Sequence, residues 1–307
     1  MDVTIFGIHL HLEPIAFTIP IGSGWSVYWY GIIIATGFML ALLYGYKNAD
    51  RLGINVDRML DVALVTTPLA ILCARSYYLL FDKVKGNFFR DFFRLNGEGF
   101  SGLAIYGGVI GAAVFGFAMC KLRKVNVFSM FDLASLGFLI GQGIGRWGNF
   151  INQEAFGSPT GSSFWGMTSE NVVSEFIQKG YNPTALAHPC FLYESVWCIV
   201  GFFVLHKLSK KRSFNGEIAL MYCVWYGFGR AFNELLRTDS LTLGDSNIRV
   251  SAVLSAAICI GAAFLIVYIR NKQKPKQTEY VSLFGEEEES QEIVVENNEE
   301  IENEQDN

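Results

Sequence analysis

The sequence has few charged residues for its length. Only 17% of its 307 residues are Asp, Glu, Lys or Arg, whereas 51% are hydrophobic and 26 are Phe. The mean hydropathy is +0.30. An ordinary soluble domain carries about 25% charged residues, so this scarcity excludes that class. We therefore expect a protein that crosses a membrane several times.

The sequence also lacks the patterns of metal and redox sites. Its six cysteines form no CxxC pair and no grouping with His at metal-ligand spacing, so we interpret them as apolar core residues. The sequence shows no internal repeat, which weighs against the duplicated architecture of many transporters. The segment before Trp25 has no Lys or Arg and no small-residue cleavage site. We therefore expect no removable signal peptide.

Seven segments are apolar over most of the length that a membrane span needs, which is roughly 20 residues. The fourth and fifth are shorter and less purely apolar than the others. The pattern predicts an all-α integral membrane protein, a bundle of about seven transmembrane helices. In chain order the segments are Val27 to Tyr46, Leu60 to Phe81, Leu103 to Cys120, Phe131 to Trp147, Phe191 to His206, Ile218 to Leu236 and Val250 to Ile269.

Lys and Arg are unevenly distributed between the two sides of this predicted bundle. Fourteen fall in the connections that share a side with residues 47–58, and seven fall on the other side. Basic residues collect on the cytoplasmic side of membrane proteins, so we expect the N-terminus outside and the C-terminus in the cytoplasm. The exception is Lys83 to Arg94, whose FFRDFFRL pattern suggests an amphipathic helix in the headgroup region.

The composition changes at Arg270. From there to Asn307 the chain has 12 acidic and 4 basic residues, so this part has a net charge of −8 and the rest of the chain +3. A segment of this composition does not bury enough apolar surface to fold. We therefore expect a seven-span membrane domain over residues 1–269 and a disordered acidic cytoplasmic tail over residues 270–307.

A polar stretch, GQGIGRWGNFINQEAFG, follows the fourth apolar segment without a break, from Gly141 to Gly157. Four of its polar side chains are spaced four, three and four residues apart, which places them on one face of a helix. They are Gln142, Arg146, Asn149 and Gln153. Polar residues inside an apolar bundle usually mark a ligand path. Alternatively, Arg146 could snorkel to the headgroups, and Asn149 or Asn152 could cap the helix.

The same segment has glycine at every fourth position, at Gly137, Gly141 and Gly145. Small residues at this spacing let two helix backbones approach closely. We expect this glycine face to pack against another span. Because it lies beside the polar face, the sequence predicts a close helix contact that opens onto a polar cavity.

The sixth apolar segment has a second polar face, in the sequence YGFGRAFNELLR. Tyr226, Arg230 and Glu234 follow one another at intervals of four residues, and Arg237 is three residues further on. Arg230 and Glu234 could form a structural ion pair that neutralises two costly charges. Arginines on two separate spans also suggest an anion site. The phosphate of a lipid headgroup matches the guanidinium geometry.

Six motifs of the chain, taken in order, resemble those of the prolipoprotein diacylglyceryl transferase family. Two of them are GRWGNFINQEAFG and YGFGRAFNELLR, and the set covers roughly residues 29–237. The other four are WYG at Trp29 to Gly31, CARSYY around Arg75, YGGVIG at Tyr106 to Gly111 and HPCFLYE at His188 to Glu194. The resemblance implies a bundle of seven spans with a small outward-facing head, which about residues 150–188 would supply.

The resemblance implies a bacterial enzyme of the cytoplasmic (inner) membrane. It would transfer the sn-1,2-diacylglyceryl group of phosphatidylglycerol to the lipobox cysteine of a preprolipoprotein, leaving a thioether and releasing glycerol phosphate. This is the first step of lipoprotein maturation. Its partners would be phosphatidylglycerol, lipobox segments and the lipid bilayer. Because the substrate supplies the nucleophile, the reaction needs no catalytic Ser or Cys, and the resemblance implies no metal, cofactor or nucleic acid.

The motifs also carry site residues over to this chain. Arg146 and Arg230 could hold the phosphate and stabilise it as it leaves, and Asn149 and Tyr30 could donate further hydrogen bonds. The catalytic candidates are Tyr30, Tyr106, Arg146, Asn149, Tyr226, Arg230 and Glu234. The candidates for binding phosphatidylglycerol are Arg146, Asn149, Glu154, Gly157 and Arg230.

The proton acceptor is left open. Many members of the family have a histidine where this chain has Tyr106, and a tyrosine with an ordinary pKa near ~10 is a poor base at neutral pH. We therefore interpret Tyr106 as a site-lining or hydrogen-bonding residue. Glu234, Glu154 or water could accept the proton. Three further residues are interpreted as structural or supporting groups: His188, Arg75 and Glu194.

Two other classes of protein are compatible with the same residues. A transporter or channel could use Arg146 and Arg230 to bind an anionic solute that it releases unchanged. A lipid-binding scaffold would bind phosphatidylglycerol without forming a product. Covalent turnover distinguishes the enzyme from both alternatives.

Overall fold

The structure is a computed structural model that describes residues 1–20, 25–81, 92, 102–238, 249 and 251–272. The predicted amphipathic helix at Lys83 to Arg94, apart from Phe92, and the predicted tail beyond Lys272 lie outside the described residues. Within them are eight α-helices and five short β-strands. The helices are α1 (Trp29–Asn48), α2 (Val56–Phe81), α3 (Ile105–Leu122), α4 (Val127–Asn152), α5 (Glu170–Gln178), α6 (Cys190–Ser209), α7 (Glu217–Leu236) and α8 (Ser251–Lys272). The strands are β1 (Asp2–Ile5), β2 (Ile8–His11), β3 (Ile15–Ile19), β4 (Trp25–Tyr28) and β5 (Met167–Ser169).

Each of the seven apolar segments predicted from the sequence corresponds to one long helix. Five of these helices, α1, α2, α4, α6 and α8, are long and apolar enough to cross a membrane by length and composition. Helix α3 is shorter, and α7 carries Glu217, Arg230 and Glu234 within its 20 residues. The fold confirms the predicted class, an all-α integral membrane protein.

The fourth and fifth segments are longer than the sequence indicated, since α4 has 26 residues and α6 has 20. Hydropathy places their ends too early because polar side chains interrupt the apolar runs. In the fold, polar side chains on both helices find partners inside the bundle, so the helices continue. Helix α8 likewise extends past its predicted end at Ile269, to where Arg270 pairs with Glu217 of α7 at 2.5 Å.

Helix α4 lies at the centre of the bundle and packs against α1, α6 and α7. Its glycine face meets α1, as the spacing predicts: a Cβ added at Gly37 of α1 would lie 3.3 Å from the Cα of Gly141. On another face, a Cβ added at Gly143 would lie 3.4 Å from the Cβ of Cys198 on α6. These close approaches hold the polar end of α4 between its neighbours.

A buried carboxylate ties α4 to α7 at the end of the bundle opposite to the C-terminus of α4. Asp132 is fully buried and accepts hydrogen bonds from Arg212 Nη1 at 2.8 Å and from the backbone N–H groups of Gly216 and Ala219 at 2.9 Å each. Arg212 also donates to the carbonyl of Leu52 at 2.8 Å. The N-terminus of α7 is thereby anchored to the central helix.

A small head is built from the N-terminal residues together with the segment between α4 and α6. Strand β1 pairs antiparallel with β2 and β5, and β3 pairs antiparallel with β4. The head core contains Val3, Met167, Val172 and Phe176. From the sequence, only about residues 150–188 were expected in the head. These strands were not predicted, because strands of three to five residues carry little periodicity.

Candidate active site

The C-terminal end of α4 gathers three of the candidate site residues. The helix ends at Asn152, and Gln153 takes the left-handed conformation with φ 53°, so the predicted polar face ends at Asn149 and Gln153 does not continue it. In this turn the N–H of Glu154 donates to the carbonyl of Asn149 at 3.0 Å. Asn149 Nδ2 donates to Glu154 Oε1 at 2.7 Å, and Arg146 Nη1 makes a longer contact of 3.5 Å with Asn149 Oδ1.

Glu194 of α6 joins the two candidate arginines. One of its carboxylate oxygens contacts Arg146 Nη2, and the other accepts from Arg230 Nη1 at 3.2 Å. Arg230 Nη2 also pairs with Glu234 on the same helix at 2.9 Å, which is the ion pair that the sequence spacing suggested. The site is therefore a chain of charges that runs from α4 through α6 to α7.

This central position of Glu194 was not predicted from the sequence, in which the residue was interpreted as a supporting group. The available signal was a carboxylate in an otherwise apolar segment, which in a membrane needs a charged partner. Its side chain is only 8% exposed, and those of the two arginines are 20% exposed. Burial at this level makes the ionised groups depend on one another, because an unpaired charge here is costly.

A hydroxyl one residue further along α6 fixes the approach of Glu194 to α4. Ser195 Oγ donates to the backbone carbonyl of Gly143 at 2.7 Å, and Trp147 Nε1 donates to Ser195 Oγ at 3.2 Å. Both partners lie on α4, within one turn of Arg146. This pair of bonds therefore holds the α6 backbone where Glu194 reaches the guanidinium group.

A small cavity adjoins the cluster between α6 and α7. Tyr226 lies in its wall and stacks on Tyr222, with ring centroids 5.6 Å apart. The Tyr222 hydroxyl in turn accepts from Gln142 Nε2 at 2.9 Å, so the polar face of α4 continues into this region. The lining residues are Glu194, Trp197, Cys198, Tyr226, Gly229, Arg230 and Asn233.

The two tyrosines named as candidates on α1 and α3 occupy different surroundings. Tyr30 lies against α4 one turn from the cluster, where a Cβ added at Gly148 would be 2.7 Å from its ring. Tyr106 is 64% exposed, and its ring centroid lies 6.5 Å from that of Tyr77 on α2. The structure thus brings Tyr30 to the end of α4, whereas the described contact of Tyr106 is with α2. Arg75, on the same helix as Tyr77, donates to the carbonyl of Gly102 at 3.1 Å.

Gly157 lies where the head meets the end of α7. Its N–H donates to the carbonyl of His188 at 2.9 Å. A Cβ added here would lie 2.7 Å from the Cβ of His188, 2.8 Å from Cys190 Sγ and 2.9 Å from the carbonyl of Leu236. The position therefore requires glycine, because a side chain would not fit into this close packing. The loop thereby lies beside the candidate site, to which Gly157 contributes no side chain.

His188 contributes to the same junction. Its Nδ1 shares a hydrogen bond of 3.1 Å with the Tyr193 hydroxyl, which also accepts from Trp165 Nε1 at 2.7 Å. Desolvation lowers the pKa of His188 below its ordinary value, which favours the neutral ring. These contacts agree with the interpretation of His188 as a residue that fixes the loop.

The fold and the charged cluster define a class: a multi-pass membrane protein with paired arginines and carboxylates held between three of its helices. A family model described as "Prolipoprotein diacylglyceryl transferase" matches residues 14–268. The match covers most of the chain and every residue of the cluster. The chain belongs to the prolipoprotein diacylglyceryl transferase family.

Curated relatives named phosphatidylglycerol–prolipoprotein diacylglyceryl transferase support this membership. The one from Bacillus licheniformis is 40% identical over 262 residues, which cover 85% of this chain and 94% of the relative. The one from Pediococcus pentosaceus is 39% identical over 272 residues, covering 88% and 95%. The one from Listeria monocytogenes is 38% identical over 269 residues, covering 86% and 92%.

Proposed function

We propose that this chain transfers the sn-1,2-diacylglyceryl group from phosphatidylglycerol to the lipobox cysteine of preprolipoproteins. A bond forms between the cysteine sulfur and the glycerol carbon as the bond from that carbon to the phosphate oxygen breaks. The products are a thioether and glycerol phosphate, and the thiol proton passes to a base. The observation that carries the proposal is the pair of arginines that Glu194 holds together in the site of a family member.

In this proposal Arg146 and Arg230 bind the lipid phosphate. Guanidinium groups match phosphate oxygens and can bind them in pairs. Negative charge grows on the phosphate as the carbon–oxygen bond breaks, so preorganised donors bind the transition state more strongly than the bound lipid. Asn149 and Tyr30, which lie beside Arg146, are the proposed sources of further hydrogen bonds.

Glu194 has a separate proposed role. It offsets the repulsion between two cations in a region of low dielectric, and it holds them near one another. The bound phosphate then competes with the carboxylate for the same donors. The cost of this competition is common to the lipid and to the departing phosphate. The departing phosphate overcomes it more readily, because it carries more negative charge than the phosphate of the lipid.

We choose the proposed proton acceptor by comparing the solvent exposure of the two candidate carboxylates. Glu154 is exposed and bonded to Asn149, whereas Glu234 is buried and paired with Arg230. Of these two carboxylates, Glu154 is the one that a substrate thiol can reach from the head side. The substrate thiol becomes nucleophilic only as a thiolate, so this position suits a base.

The test is mass spectrometry of a synthetic lipobox peptide incubated with the purified protein and phosphatidylglycerol. We expect a diacylglyceryl-sized gain of mass on the cysteine with the wild-type chain and none with Arg146→Ala. A matched control is Arg123→Ala, which removes an arginine of a half-exposed ion pair with Asp61 and should leave the product unchanged.

An unmodified peptide in the presence of folded wild-type protein would contradict the proposed reaction. If the folded protein instead moved a phosphate-containing anion unchanged across liposomes, the transporter alternative would replace it. If it bound phosphatidylglycerol but neither modified the peptide nor moved an anion, the scaffold alternative would replace the proposed reaction.

A further inference from the structure

Two tryptophans on adjacent helices make a reciprocal pair of hydrogen bonds. Trp197 Nε1 on α6 donates to the backbone carbonyl of Trp225 on α7 at 3.0 Å, and Trp225 Nε1 donates to the carbonyl of Trp197 at 3.0 Å. The rings stack with centroids 4.4 Å apart and an interplanar angle of 19°. We call these two residues the tryptophan clasp.

A glycine four residues after each tryptophan makes room for the clasp. A Cβ added at Gly229 would lie 2.2 Å from Trp197 Nε1, and one added at Gly201 would lie 2.3 Å from Trp225 Nε1. In an α-helix the carbonyl of residue i bonds to the N–H of residue i+4, so each glycine stands beside the carbonyl that the opposite indole must reach. The same spacing of tryptophan and glycine occurs on both helices, as WCIVG on α6 and WYGFG on α7, and it serves the same purpose on each.

The clasp selects one register of α6 against α7. An indole N–H that lacks an acceptor in an apolar environment is unfavourable, and the two bonds form together only when each ring faces the opposite glycine. A slip by one helical turn, about 5.4 Å, would break both bonds and press each ring against an ordinary side chain.

This register is also the one that assembles the charged cluster. Glu194 lies three residues before Trp197 on α6, and Arg230 directly follows Gly229 on α7. Their contact of 3.2 Å is shorter than one helical turn. Trp197 and Gly229 themselves line the cavity beside this contact. A shift of the clasp therefore moves both the ion pair and the cavity wall.

We propose that the tryptophan clasp, with Gly201 and Gly229, is a positioning device for the catalytic site. It sets the distance between Glu194 and Arg230, and it acts through them without touching the reacting atoms. The activity test of this proposal rests on the proposed function, whereas its stability test rests only on the helix packing.

The test pairs each disruptive substitution with the change that should relieve it. Gly229→Ala places a methyl group against the Trp197 indole, and adding Trp197→Phe removes the indole nitrogen, the atom that this methyl group would approach most closely. Gly201→Ala with Trp225→Phe is the reciprocal pair. The crossed double variants, Gly229→Ala with Trp225→Phe and Gly201→Ala with Trp197→Phe, leave each clash in place. Gly261→Ala on α8 is the matched control, since a Cβ there meets nothing within 4 Å.

We measure kcat and KM for lipidation of the lipobox peptide, and the thermal unfolding midpoint in detergent. Gly229→Ala should lower kcat by about 10- to 100-fold, because small misplacements of a catalytic constellation have effects of this size. The KM for the peptide should change little. The matched double variant relieves the clash but lacks one of the two indole hydrogen bonds, so it should recover part of kcat and of the midpoint, whereas the crossed variant should recover neither.

Full activity of Gly229→Ala, or equal recovery by matched and crossed variants, would overturn the clasp as a positioning device. So would a lowered unfolding midpoint with an unchanged kcat in Gly201→Ala, since the clasp would then be structural only. Absence of product from the wild-type chain would contradict the proposed function. In that case the unfolding midpoints, which need no turnover, still decide whether the clasp sets the helix register.

Discussion

At the scale of single residues, a carboxylate organises the candidate site. Glu194 contacts Arg146 on α4 and Arg230 on α7. Each arginine has a further partner on its own helix, Asn149 or Glu234. The charges that the proposed reaction uses are thus arranged before any lipid phosphate binds.

We predict that Glu194→Gln lowers both stability and turnover. The amide keeps the shape of the side chain but removes the charge shared by two guanidinium groups, and loss of one partner from a buried ion pair costs about 3–5 kcal/mol. The misplaced arginines should also stabilise the departing phosphate less well. Denaturant unfolding in detergent gives the first effect, and the initial rate of peptide lipidation gives the second.

Glu13→Gln serves as the control for this substitution, because the Glu13 side chain is 76% exposed and should change neither quantity. A wild-type lipidation rate in Glu194→Gln would show that the bridging charge is not needed for turnover. Unchanged stability would show that water or another group compensates the two arginines.

At the scale of helices, the two ends of α4 do different work. Its C-terminal turns carry Arg146 and Asn149. Its N-terminal turns carry Asp132, which accepts hydrogen bonds from Arg212 and from two backbone N–H groups at the start of α7. The two regions are separated by 14 residues, or roughly 20 Å of helix at 1.5 Å per residue. Anchoring and catalysis are therefore separable by mutation.

We predict that Asp132→Asn destabilises the fold but leaves the catalytic site intact. The substitution leaves Arg212 without its buried counterion, at a cost of about 3–5 kcal/mol in the free energy of unfolding. Lipidation per folded molecule, measured well below the unfolding midpoint, should stay near the wild-type rate.

Asp61→Asn is the matched control for this second substitution. Asp61 pairs with Arg123 at 3.0 Å, but its side chain is 39% exposed, and exposed pairs contribute only about 0–1 kcal/mol. Equal losses of stability in the two variants would refute the claim that burial makes the Asp132 cluster the stronger anchor.

At the scale of the whole molecule, the proposed reaction requires one orientation of the protein in the membrane. Lipobox substrates would meet the site from the head side, and the basic connections would lie in the cytoplasm. In the fold, residues of β1 pair with β5, so the N-terminal residues and the head lie on the same side. The connection from α6 to α7, with its basic residues, lies at the opposite end of these helices.

We predict that a thiol reagent that does not cross membranes labels Glu13→Cys in intact cells and labels Lys210→Cys only after permeabilisation. Both positions are exposed, and the native cysteines are replaced by serine or alanine in the background chain. The converse labelling pattern would reverse the proposed orientation.

Much of the fold could be predicted from the sequence because its signals are local. Hydropathy located seven helical segments, and four-residue spacing identified both the glycine face of α4 and the Arg230–Glu234 pair, observed at 2.9 Å. Such features depend on residues within a few turns of one another. The ends of α4 and α6 were harder to predict from the sequence, because partners on other helices decide whether a polar residue is tolerated in a span.

The sequence by itself therefore determined that this chain folds in a membrane as an all-α protein, where its apolar segments lie, and which helix faces carry charge. The tertiary structure determined which of those faces meet. Glu194 became the link between two arginines, Trp197 met Trp225, and β1 joined β5 because helices and strands far apart in the chain adopt one packing register. That register depends on the simultaneous fit of many side chains, and no local spacing specifies it.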